Sequence, residues 1–271
     1  MSDRGRAGER RDNIGGNLAH VTRRYFLLSS AAWSAGCAVR RSPAEAPTSA
    51  SQVRQPAVGQ SWRYSKQDLF THGLLLDEVD RVASVGATIE IESSSEAITE
   101  RKGKSHWGAD ALRKYFPHHD TPVGALPGEV QNPWGKIWVD PHWGQVQVYE
   151  TAIPLWPEQM QPGWETRVST QYKTPLNQDA RPWDLTMKAH SWERISVQAG
   201  QFNALRFTNS INFVSGDTMR SDSKRQETLW FAPEVGRWVA RESKGSYFAA
   251  NSANDTPYNE NAYRWELLEW S

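Results

Sequence analysis

Strict alternation of apolar and polar positions runs through much of the chain. In WETRVSTQYK, Trp164, Thr166, Val168, Thr170 and Tyr172 share one face, while Glu165, Arg167, Ser169, Gln171 and Lys173 share the other. A strand with one buried and one wet face reads this way, because successive side chains point to opposite sides of a sheet. ALRFTNSINF places Leu205, Phe207, Ile211 and Phe213 together, and ATIEIES pairs Ile89 with Ile91. GQVQVYE puts Val146 and Val148 on the expected inner face. LLLDEVDRV reads as a strand whose charges Asp77, Glu78 and Asp80 face water. The terminal NAYRWELLEW sets Tyr263, Trp265 and Leu267 against Arg264 and Glu266, and it is the candidate closing strand.

Turn residues punctuate these runs at Gly86, Gly135, Gly144, Pro162-Gly163, Gly200, Pro233 and Gly236. About ten to twelve strand-like segments joined by short breaks predict an all-β fold. The expected form is an antiparallel meander making a strongly curved sheet, half-barrel or barrel, with at most one or two short helices. ADALRKYF, residues 109–116, is the helical candidate, and the Pro- and Gly-rich 117–133 reads as a long loop. VGQSWRYSKQD and QPGWETRVSTQ echo one another, each opening about half of the strand-rich region.

Residues 38–57 lack apolar periodicity and are rich in Ala, Ser and Pro, a composition that reads as a tether. The domains expected are therefore a leader over 1–36, a tether over 37–57 and one β-rich domain over 58–271.

The leader is read from its apolar run, Tyr25 to Gly36, which is 12 residues long. A membrane-spanning helix needs roughly 20. Twelve residues behind the basic pair Arg23 and Arg24 suit the core of a signal peptide. TRRYFL resembles the twin-arginine export signal. Ser34-Ala35-Gly36-Cys37 is similar to the lipobox of bacterial lipoproteins, with serine where leucine is usual. That resemblance implies lipidation of Cys37 and a membrane partner reached through the anchor. Ala38 rather than Asp at the next position implies the periplasmic side of the outer membrane, with the soluble periplasm as the alternative. The chemistry agrees, since Cys37 is the one cysteine and an unpaired thiol is a liability in an oxidising compartment.

A second resemblance lies in VQAGQFNALRF followed by ETLWFAPEVGRWVARES. Ala199, Gly200, Phe202 and Ala204, then Trp230, Phe231, Ala232, Pro233, Val235, Gly236 and Val239, are similar to a signature of exported β-rich proteins of proteobacteria. It implies a curved antiparallel sheet and no activity. Physically the second stretch predicts two strands around a tight turn, with Pro233 ending the first and Gly236 permitting the bend.

Charge narrows the partners. Of 31 basic and 31 acidic residues, six and three precede Cys37, leaving 25 and 28. That balance carries no basic footprint for nucleic acid.

Candidate chemistry is sparse. Of 14 tryptophans, most alternate correctly for a core, while Trp134, Trp138 and Trp143 sit among Gly and Pro breaks where rings can line a pocket mouth. His118, His119, Asp140 and His142 carry zinc-compatible groups, but adjacent histidines on extended chain point apart and no HExxH is present, so no metal or other cofactor is expected. No Gly-x-Ser-x-Gly elbow or glycine-rich phosphate loop occurs. The sequence thus supports a non-catalytic envelope lipoprotein that binds an apolar or amphipathic ligand, such as a lipid or small molecule. The alternatives are an accessory lipoprotein that binds another envelope protein and, third, a metal-dependent hydrolase.

Overall fold

The computed structural model describes residues 40–48, 52–96, 124–142, 146–175, 177–215, 219–249 and 256–271. They belong to one compact unit, Val39–Ser271. Arg23, Arg24, Cys37, His118, His119, Trp143 and the helical candidate 109–116 lie outside the described residues.

Every regular element described is a strand. In chain order they are β1 (Arg40–Pro43), β2 (Ser61–Asp68), β3 (Leu74–Val85), β4 (Ile89–Glu96), β5 (Gly124–Gln131), β6 (Lys136–Asp140) and β7 (Gln147–Pro154). The rest are β8 (Glu165–Thr174), β9 (Asn177–Val197), β10 (Gly200–Phe213), β11 (Arg220–Ala232), β12 (Arg237–Ala249), β13 (Tyr258–Asn259) and β14 (Tyr263–Trp270). Neighbours in sequence pair antiparallel from β2 to β12, and β14 joins β12 to β2. The result is a closed barrel of twelve strands, with β1 and β13 outside the ring. β14 is the closing strand that its alternation predicted: Tyr263 faces Asp68 and Trp270 faces Trp62 across the seam. The two echoing segments open β2 and β8, which stand six strands apart in the ring.

Inner faces carry the apolar set, as at Leu185 and Met187 on β9 and Phe207 and Ile211 on β10. Outer faces carry charge, with Arg81, Glu90, Glu165, Arg167, Lys188 and Arg194 all exposed. A lipid-facing wall would instead need an apolar band about 25 Å tall. The β7–β8 seam is thin, laddered only at Val148–Lys173 and Tyr149–Tyr172.

One end of the barrel is closed by short turns. The β11–β12 turn turns back at Gly236, whose φ of 75° suits glycine and where a Cβ would lie 2.8 Å from the Arg54 carbonyl. Gly135, φ 91°, lets the Trp156 indole lie against the β5–β6 turn at 2.7 Å from a notional Cβ. Trp62, Trp134, Trp156 and Phe231 pack in succession over this end, with centroids 6.3, 5.2 and 4.7 Å apart, the first pair stacked and the second edge-on. The β4–β5, β6–β7, β10–β11 and β12–β13 connections all leave from the opposite end.

The segment expected as a loose tether is tied down where it is described. β1 pairs with β9 from Arg40–Ser196 to Pro43–Glu193, and the Arg54 N–H donates to the Pro233 carbonyl at 2.8 Å. β9 runs past the start of β8 and leaves an open edge there, so a short extended piece satisfies backbone groups on that edge.

Candidate functional site

The barrel interior is polar at its centre, against the expectation for LLLDEVDRV. Asp80 is buried on β3, not solvated, and its Oδ2 accepts from Arg237 Nη2 at 3.0 Å. Glu129 on β5 takes the same guanidinium at 3.2 Å and accepts from the Gln131 amide. Arg237 is fully buried, held between two carboxylates and over the Trp238 ring at 4.3 Å. Asp77 is also buried, turned to the other side of β3 against Arg63. Glu78 accepts from Lys66 at 2.9 Å and from the Trp265 indole at 2.7 Å. The physical reason is closure: a strand face turned into a twelve-strand barrel loses water whatever its polarity, and charges there survive by pairing.

A second group lies beside the first. Asp140 closes β6, and its Oδ1 contacts His142 Nδ1 at 2.7 Å while accepting from the His142 backbone N–H at 2.9 Å. His142 Nε2 is 3.8 Å from Glu129. The Tyr149 hydroxyl donates to Gln147 Oε1 at 2.7 Å. Gln147 and Tyr149 therefore form the inner face of β7, and Val148 is exposed, the reverse of the expected register. The hydrogen-bonding interior holds the polar side chains in and the valine out. Arg241 donates to Glu227 at 2.8 and 2.5 Å, and Asn209 donates to the same carboxylate's other oxygen at 3.0 Å.

Electrostatics follows from these pairs. Burial pulls the His142 pKa down, but the charge and hydrogen bond of Asp140 outweigh it and the net shift is upward. Burial raises Asp140, and His142 reverses this to a net lowering. Burial raises Asp80 more than Arg237 and His142 lower it, so it titrates above the usual carboxylate range. For Glu78 burial again acts upward, and Lys66 more than offsets it.

Between this network and the apolar wall lies a cavity of about 30 Å³ open to the centres of water molecules, room for a few waters at most. Asp140, His142, Asn209, Glu227 and Arg241 face it from one side, Ile153, Leu185, Ile211 and Leu229 from the other. Asn209 Oδ1 is buried there with no hydrogen-bond partner among the described residues. Such a chamber can order water. It has no volume for an acyl chain.

Of the residues singled out from sequence, Asp140 and His142 are brought together. Trp134 and Trp138 are not. Trp134 stacks on Trp62 at the closed end and donates its Nε1–H to the Arg54 carbonyl at 3.1 Å. Trp138 stands on the outer wall and donates to the Asn132 carbonyl at 3.0 Å. Arg237 and Arg241 went unnoticed. Their signal was two arginines four residues apart within the apolar run VGRWVAR, where a charge must be paired if the run is buried.

Two solved structures are similar to this chain. One is an inferred lipoprotein from Parabacteroides distasonis ATCC 8503, at 12% identity and TM-score 0.43. The other is an inferred exported protein with YmcC-like fold from Bacteroides fragilis NCTC 9343, at 11% identity and TM-score 0.44. Each match covers 81% of this chain and 99% of the other. No family model matches the chain, and no curated protein matches it in sequence.

Proposed function

We propose that this protein is an exported envelope lipoprotein that acts by binding another envelope protein, not by catalysis. In this reading residues 1–36 are removed, Cys37 carries lipid on the periplasmic side of the outer membrane, 37–57 form the anchored strap, and 58–271 are the working barrel. The observation that carries it is the packed interior among the described residues: Trp62, Ile137, Gln131 and Arg237 are all fully buried, and the cavity beside Asp140 and His142 is water-sized. Contact must then be made outside. Four large apolar side chains, Phe70, Val214, Met219 and Tyr258, are exposed on the connections at the end opposite the short turns. Exposed apolar groups gathered at one place mark interaction surfaces more often than scattered ones do.

A photoreactive residue in place of Phe70 should capture a discrete envelope protein in growing cells, while the same residue at Ala87, on the short-turn end, should not. Equal capture at both positions, or none at Phe70, contradicts this reading.

A second reading, an apolar or amphipathic ligand, is favoured by one feature. The thin β7–β8 seam stands beside Ile153 and Leu155, and its parting would widen the cavity behind it. Lipid retained by the purified protein would establish it.

A further inference from the structure

Resting on the lipid-anchor reading, we propose that the barrel sits with its short-turn end against the membrane surface and its opposite end facing away. The lipid headgroup layer is thus a contact partner of a defined face. The inference comes from where the strap is fastened. Arg40 pairs with Ser196, beside the β9–β10 turn. The Ala44 N–H donates to the Trp192 carbonyl at 3.0 Å. Arg41 holds the strap from its side chain, lying 4.1 Å over the Trp230 ring and donating to Glu242 at 3.2 Å. Trp230 is itself fixed, since its indole donates to Glu193 at 2.9 Å and Glu193 accepts from Arg206 at 2.7 Å. Further along, Arg54 is bonded to the β11–β12 turn and to Trp134, both at the same end.

The β9–β10 turn is fastened too: the Ala199 N–H donates to the Leu267 carbonyl on the closing strand at 3.1 Å. The first described residues of the chain are therefore fastened to a braced part of the barrel. Three residue steps separate Cys37 from Arg40, which span at most about 11 Å. A loose chain of 20 residues would let the barrel tumble over about 25 Å. A leash of three steps holds the fastened end near the headgroups and leaves outward the other end, where Phe70, Val214, Met219 and Tyr258 are exposed.

The test uses the full-length protein in its membrane. Cys37 is the chain's one cysteine, and lipidation would consume its thiol, so a single added cysteine can be labelled alone. Ala87→Cys reports the short-turn end, on the β3–β4 turn; Thr71→Cys reports the other end, on the β2–β3 turn. Each fluorophore is quenched by a headgroup-attached quencher in vesicles. Quenching at position 87 should exceed that at 71 roughly threefold or more, given about 35 Å of strand between them. Inserting 20 Gly/Ser residues between Ala38 and Val39 should abolish that difference without unfolding the barrel. Equal quenching in the unmodified protein, or stronger quenching at 71, overturns the orientation while leaving the anchor intact. Wild-type protein found free of membrane would remove the anchor reading itself.

Discussion

Arg237 donates to Asp80 across the barrel interior at 3.0 Å, and the pair is buried on both sides. Taking two charges out of water is unfavourable, so the pair holds only because each partner is present and Glu129 shares the guanidinium. Arg237→Met should therefore destabilise the fold by about 3–5 kcal/mol in urea titrations, since it strands two carboxylates. Adding Asp80→Asn and Glu129→Gln to that variant should recover much of the loss. A single variant as stable as wild type would show that the network is not part of the fold's support.

His142 gives the fold a pH dependence whose sign is fixed. Its folded pKa is raised by Asp140 and Glu129, against burial and the Arg241 charge. The stabilisation is thus fully present below the unfolded value of about 6.5 and is lost as pH rises through the folded pKa. Wild type should lose stability relative to His142→Gln as pH rises above about 6.5. Parallel curves for the two proteins would exclude a titrating His142.

Gly236→Ala meets both a positive φ and the Arg54 carbonyl at 2.8 Å. A loss of ~1–3 kcal/mol is expected. It should come with freer proteolysis of the 52–57 segment, because the same contact docks the strap. Gly59→Ala, with positive φ and open space, should show strain without the proteolysis.

Cys37→Ser should move the protein from the membrane to the soluble fraction after cell fractionation. Membrane association that survives the change would mean that something other than lipid holds it.

The strand pattern was legible in the sequence where the inner face is apolar. Leu205, Phe207, Ile211 and Phe213 alternate as expected, and β14 closes the ring as its residues suggested. Alternation tells that a strand has two faces; it does not say which one is inside. At Gln147–Tyr149 and at Asp80 the polar face is the inner one, because barrel closure buries it and partners from distant strands satisfy it. Those partners, Arg237 and Glu129, lie 157 and about 50 residues from Asp80, so local spacing could not show them. Trp134 and Trp138 follow the same logic: nearness in sequence placed them together, but one belongs to a turn and the other to an outer strand face.

The most direct measurement of the central claim is the native mass of the mature protein extracted from membranes and stripped of detergent in the gas phase. The account predicts a chain beginning at Cys37, with covalently attached lipid as its one addition. A chain without lipid on Cys37 would contradict the anchor, and a lipid or metabolite retained non-covalently would contradict the filled, externally acting barrel.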